Sequence, residues 1–231
     1  MPLDHRTGTR EEWRAARATL LEREKELTRL NDVVARERQA LPWVPVEREY
    51  VFDSPDGPVT LAQLFGGRSQ LIVQHLMFGP DDERACASCT SIADGVNGPH
   101  EHLEHHDVAF AAVSRAPLAK LQEYKAKLGW TFRWVSSHGS DFNFDFGVSG
   151  TAERPNREYN LAPVTGEQTG EWPGMSAFAL HDGVVHHVYS AHSRGIDALW
   201  GVYPWLDRAP KGRRDETYWH RRRYEFEEVP A

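Results

Sequence analysis

The stretch Leu71–Phe78, LIVQHLMF, constrains the fold more than any other segment. It is apolar except at Gln74 and His75 and is bounded by polar sequence, which reads as a buried strand. It leads into the loop GPDDERA and then into Cys86-Ala-Ser-Cys89. Two further short apolar segments follow, Val108–Val113 and Trp130–Ser136, the latter with Thr131, Arg133 and Val135 alternating against Phe132 and Trp134. A helical segment after the cysteines loosens at Gly95–Pro99 and resumes as HEHLEHH. A second helix starts at Pro117, carries the stripe Leu118, Leu121, Tyr124 and Leu128, and stops at Gly129. Strands alternating with helices predict a parallel core built from crossover units. Ser176–Leu180 and Val184–Tyr189, joined by His181-Asp182-Gly183, predict a hairpin that makes the sheet mixed. A closing helix is expected near Ile196–Leu206.

Ahead of this core, Glu49–Asp53 reads as a short strand, Ser54-Pro55-Asp56-Gly57 as a turn, and Thr60 as the cap of a short helix, LAQLF. Residues 9–41 read as one long helix. Trp13, Leu20, Leu27 and Val34 recur every seventh position, Ala16 and Leu30 fill a second row, and Arg23 and Glu37 interrupt it. Such a half-formed heptad stripe suits a helix laid across a domain or against a second subunit. Pro42 and Pro45 end it. The expected organisation is a helical arm over 1–45 and one α/β domain over 46–231 with a charged tail. The polar stretch from Gly150 to Gly174 reads as a long surface loop.

Composition narrows the function. The 231 residues carry 34 acidic against 27 basic side chains, a formal charge of −7 that argues against a nucleic-acid binder. A mean hydropathy of −0.61, with no apolar run near the ~18 residues that a spanning helix needs, argues against a membrane protein. MPLDHRTGTREEWR has no apolar stretch behind its charges, so no secretory signal is read there and a cytoplasmic location is expected. Arg221-Arg222-Arg223 is followed by Glu225, Glu227 and Glu228, a locally neutralised tail.

Two cysteines cannot make a disulfide framework, but their spacing after a strand and at a helix start carries a specific chemistry. The first sulfur meets unpaired N–H groups and the positive end of the helix dipole, both of which favour thiolate. Arg84 stands two residues upstream, with Asp81, Asp82 and Glu83 opposing it. Cys86 is then the nucleophile and Cys89 the resolving thiol of a disulfide exchange. Other readings stay open. The two sulfurs can be inert core, or they can bind metal with His75 and Met77 or with His100, His102, His105 and His106. Haem attachment needs His at position 90, which is Thr90. Gly147–Thr151 lacks the final Gly of a nucleophile elbow, and Gly66-Gly67 lacks the rest of a phosphate loop. Asp141-Phe142-Asn143-Phe144-Asp145 alternates polar with aromatic, as a two-faced strand does.

The order of elements, with C-x-x-C after the first core strand, resembles the thioredoxin-like fold, and TLAQLF ahead of LIVQHLMF resembles its peroxiredoxin branch. FGPDDERACASC, AAVSRAPLAKLQEYKAKLGW, WVSSHGSDFNFDFGVS and VYSAHSRGIDALWGVYPWLD resemble the uncharacterised DUF899 family over roughly residues 10–215. The resemblance implies an α/β, thioredoxin-like three-layer fold with a mixed central sheet, a long N-terminal helix, and Cys86 and Cys89 in the redox position. It supplies no established activity. Thioredoxins place a cis-proline opposite the cysteines; here that position falls near Met175, with Pro173 two residues early. The Trp-Cys-Gly-Pro-Cys setting of thioredoxin is absent, as is the Thr or Ser and activating Arg pattern of a peroxiredoxin. The expectation is a thiol–disulfide oxidoreductase without a cofactor, acting on a redox partner protein or a small thiol or disulfide, with a homodimer formed through the N-terminal helix. The alternatives are a metal-binding protein using the Cys pair with nearby His, and a non-catalytic interaction protein on the same fold.

Overall fold

A computed structural model describes residues 6–213 and 220–226. The described residues fall into two compact units, divided between Pro42 and Trp43. The first is the helix α1, Arg10–Gln39. Thr9 caps it in a capping box: its hydroxyl accepts from the Glu12 N–H at 3.1 Å, and the Glu12 carboxylate accepts from the Thr9 N–H at 2.8 Å. None of its residues is buried, and Trp13, Leu20, Leu27 and Leu30 of the expected stripe are exposed.

The second unit is built on a six-stranded mixed sheet. Its strands are β1 (Val44–Pro45), β2 (Gln70–His75), β3 (Val108–Ser114), β4 (Arg133–Ser136), β5 (Gly174–His181) and β6 (Val184–His192), in the spatial order β1-β6-β5-β2-β3-β4. β2, β3 and β4 are parallel, with Leu71 opposite Ala109 and Val113 opposite Val135, and β5 pairs antiparallel with both β2 and β6. Helix α2 (Ala87–Asn97) connects β2 to β3, with the short helix His100–His105 behind it, and α3 (Leu118–Leu128) connects β3 to β4. This is the thioredoxin-like arrangement.

Side chains alternate across the strands, so each parallel strand feeds two cores. On one face Leu71, Val73, Ala111, Val113 and Val135 pack against Phe52, Leu61, Phe65 and Phe142. On the other, Leu76, Ala112 and Trp134 pack with Cys89, Ala93, Leu121 and Leu128 from α2 and α3. Gly129 closes α3 in the left-handed conformation at φ 64°, which glycine adopts without Cβ strain. At Gly174 a Cβ would come within 2.8 Å of the His192 ring, so the start of β5 lies flush against β6 only because that position lacks a side chain. Among the described residues no helix is long and apolar enough to cross a membrane.

Three expectations are corrected. Asp141–Asp145 does not form a strand; Phe142–Asp145 is a helical turn. Alternation over five residues fits either period, and the tertiary partners choose the helix. Asp141 and Asp145, four apart, both accept from Arg48, at 2.7 and 2.8 Å, while the Phe142 and Phe146 rings pack tilted against each other with centroids 4.6 Å apart. The third parallel strand starts at Arg133 rather than Trp130, because the Thr131 N–H is donated to Asn97 Oδ1 at 2.8 Å instead of to the ladder. The closing helix breaks into a 3-10 segment, Ser193–Leu199, and a turn, Tyr203–Leu206. Gly201 and Pro204 punctuate it, and Trp200 stacks on Tyr203 at 4.3 Å.

The candidate thiol site

β2 delivers the chain to the C-terminal end of the parallel strands, and the loop beyond it is tied down at several points. Ala116 N–H donates to Phe78 O at 2.8 Å, Gly79 N–H to Asp82 Oδ2 at 2.6 Å, and Lys120 Nζ to Pro80 O at 3.2 Å. The Cys86 N–H then donates to Met77 O at 3.0 Å, which folds the loop back and leaves Cys86 as the N-cap of α2. From the far end of the chain, Arg222 Nε donates to Ala85 O at 2.9 Å, and Glu225 holds that guanidinium at 2.7 Å. By sequence alone Arg221-Arg222-Arg223 reads only as part of a neutralised tail. Glu225 does neutralise Arg222, while Glu227 and Glu228 lie outside the described residues.

As the N-cap, Cys86 uses sulfur where Ser or Asp would use oxygen. The Cys89 N–H points at Cys86 Sγ at 3.4 Å, and Thr90 secures the turn by donating its N–H and hydroxyl to Cys86 O at 2.9 and 2.8 Å. Cys86 is half-buried, Cys89 is buried, and both are free thiols. The Cys86 thiol is lowered to about 6: the hydrogen bond donated by the Cys89 thiol is the main cause, and the N–H groups of Cys89 and Ser88 and the Ser88 side chain assist against the opposing effect of burial. Cys89 moves the other way, held well above its ordinary value by that same hydrogen bond, by burial and by the charge on Cys86. The sequence pointed to the backbone donors but not to Ser88 or to the Cys89 thiol as the strongest donor.

Arg84 does not serve the site as expected. It is exposed and its guanidinium lies 3.6 Å from Glu225. Nor do the histidines gather round the sulfurs. β2 turns Gln74 toward α2, where its Nε2 donates to Cys89 O at 3.1 Å, and so turns His75 to the opposite face, where it stacks on Phe142 and Phe146. There His75 Nε2 lies 2.8 Å from Ser176 Oγ, Ser176 2.8 Å from Ser190 Oγ, and Ser190 2.8 Å from His187 Nε2. Burial, followed by neighbouring His192 and His187, lowers His75 to about 3 and keeps it neutral. Met77 is half-buried against the α2 core. His100 is buried with Nδ1 2.6 Å from Asn97 O, while His102, His105 and His106 are exposed. Among the described residues no three His, Cys, Asp or Glu side chains converge as a metal site would require.

Met175 stands in β5 opposite Gln74, and every described peptide bond is trans. Just ahead of it, Pro173 O accepts from the Tyr159 hydroxyl at 2.6 Å, and that hydroxyl accepts from the Ser193 N–H at 2.9 Å. Tyr159 thus pins the loop that enters β5 to the segment that leaves β6.

A family model described as "Bacterial protein of unknown function (DUF899)" matches residues 2–226. No curated protein matches the chain. Among solved structures, peroxidoxin BcpB from Mycobacterium tuberculosis is similar at 12% identity, over 69% of this chain and 92% of that one, with a TM-score of 0.47. Peroxiredoxin Q from Xanthomonas campestris is similar at 13% identity, over 74% and 98%, with a TM-score of 0.46. A putative protein disulfide isomerase from Bacteroides thetaiotaomicron is similar at 16% identity, over 69% and 89%, with a TM-score of 0.43.

Proposed function

The chain belongs to the DUF899 family, and on that premise we propose that it catalyses thiol–disulfide exchange through Cys86 and Cys89. One observation carries the reading: the half-buried Cys86 sulfur caps α2 and receives the Cys89 N–H at 3.4 Å, one helical turn from the buried Cys89, a setting that lowers Cys86 to about 6 and raises Cys89.

The Cys86 thiolate attacks one sulfur of a disulfide R–S–S–R′, forming Cys86–S–S–R and releasing R′S⁻. That step removes the charge on Cys86 and the hydrogen bond that Cys89 donates to it. Two of the three causes that hold Cys89 protonated vanish together, leaving burial alone. Cys89 then loses its proton to solvent and attacks the Cys86 sulfur, so RS⁻ leaves and an internal disulfide forms. The substrate gains two electrons and the pair loses two; an external dithiol, or two equivalents of a monothiol, restores the reduced form. The substrate is a redox partner protein or a small disulfide, and the reducing cytoplasm is the compartment that keeps such a pair ready.

Trapping tests this. With Cys89→Ser, oxidised glutathione should leave a stable mixed disulfide on Cys86, whereas the native pair should pass on to the internal disulfide. Absence of any adduct on Cys86 at pH 7 would refute the reading.

For the arm we infer a docking role as the self-association surface of the chain. Its support is a 30-residue helix with no buried residue and with Trp13, Leu20, Leu27 and Leu30 exposed along one heptad row and its neighbour. The mass in solution should be that of a dimer and should fall to a monomer when residues 1–42 are removed; equal association states for both chains would count against it.

A further inference from the structure

Behind the buried sulfur, a cavity of about 240 Å³ opens between α2, strands β2 and β5, and the 3-10 segment Ser193–Leu199. Ile72, Ile92, Val96, Met175 and Ile196 supply its walls together with Cys89, and no Asp, Glu, Lys or Arg lines it. Its polar lining residues are Gln74, 6% exposed, and His75, whose ring packs against Phe142 and Phe146 on the opposite face of β2. Gln74 Nε2 donates to Cys89 O at 3.1 Å. A backbone carbonyl only accepts, so this bond fixes the amide orientation and makes Oε1 the remaining atom. Gln74 Oε1 is buried and meets no hydrogen-bond donor among the described residues. Buried amide oxygens are almost always paired, because an unmade bond leaves the desolvation of the group uncompensated.

A largely apolar chamber with the orphaned Gln74 oxygen in its wall specifies an occupant. We propose that this cavity binds a small neutral molecule with an apolar, ring-sized body and one hydrogen-bond donor directed at Gln74 Oε1, the chemistry of a phenol. Apolar cavities of about 150 Å³ already take up a benzene ring, so this one admits a ring with a hydroxyl and a short substituent. A charged ligand would be desolvated there without a counter-ion. The inference rests on the cavity and on Gln74, and it stands whether or not the cysteines exchange disulfides.

The test compares p-cresol with p-xylene, which differ by hydroxyl against methyl, on the full chain. Both should shift the methyl resonances of Ile92, Ile196 and Met175, and p-cresol alone should also shift the side-chain amide of Gln74. In Gln74→Met, which keeps the volume and removes the acceptor, the ratio of the two dissociation constants should move about tenfold toward p-xylene. A ratio unchanged in folded Gln74→Met overturns the proposal. If that variant does not fold, the native chain decides: p-cresol leaving either the cavity methyls or the Gln74 amide unmoved overturns it as well.

Discussion

The Cys89 N–H lies 3.4 Å from the Cys86 sulfur, and the Cys89 thiol donates to that same sulfur. One residue therefore supplies both a backbone and a side-chain donor to the nucleophile. The opposite displacements of the two thiols are two sides of a single interaction: the hydrogen bond that stabilises the thiolate on Cys86 holds the proton on Cys89. The pair titrates as a unit, with the negative charge settled on the outer sulfur because α2 points its free N–H groups there.

The first prediction concerns that charge. The alkylation rate of Cys86 should rise with pH through a midpoint near 6, well below the ~8.5 of a free thiol. Cys89→Ser, which keeps a hydroxyl donor, should raise the midpoint less than Cys89→Ala, which removes it. Iodoacetamide kinetics followed by mass spectrometry measure all three; equal midpoints for the two variants would mean that the side-chain donor is unimportant.

A second prediction follows from Arg222. Its guanidinium donates to Ala85 O, directly before the nucleophile, and both its side chain and that of Glu225 are largely buried. Arg222→Ala should destabilise the chain by about 1.5–3 kcal/mol, the usual worth of hydrogen bonds to a charged group. Arg222→Lys should recover less than half, since an ammonium cannot reach Ala85 O and Glu225 with a planar fork. Urea midpoints read the difference.

His75 makes stability depend on pH. Its folded value is about 3 against 6.5 for a free histidine, so the fold favours the neutral ring. Between those values the unfolded chain binds more protons than the folded one. The His75 contribution is therefore fully present above pH 6.5 and is lost as pH falls toward 3, at up to about 1.4 kcal/mol per pH unit. The urea midpoint should drop from pH 6.5 to 4.5, and His75→Gln should flatten that drop while lowering stability at pH 7. A variant with the native slope would show that other groups carry it.

Much of the α/β core was legible because its signals are local. The apolar runs at Leu71 and Val108, Thr60 as a cap, Pro117 and Gly129 as helix boundaries, and the Asp182-Gly183 turn each encode their own element. So does the placement of Cys86, since a strand and a helix start lie on either side of it. What the sequence withheld depends on partners distant along the chain. Arg222 meets Ala85 across 137 positions. Asp141 and Asp145 take helical spacing because Arg48 and Arg154 bind both carboxylates. The opposite facing of Gln74 and His75 follows from β2, but what each meets there, a carbonyl of α2 or a serine of β5, is set by tertiary packing.

The central claim is that Cys86 and Cys89 interconvert between a dithiol and a disulfide. Equilibrating the protein across a series of glutathione redox buffers, quenching with acid and weighing the intact chain tests it most directly. The account predicts a two-electron transition to a species two hydrogens lighter, abolished by either Cys86→Ser or Cys89→Ser. Two free thiols at every buffer ratio, or glutathione adducts that never resolve in the native chain, would contradict it.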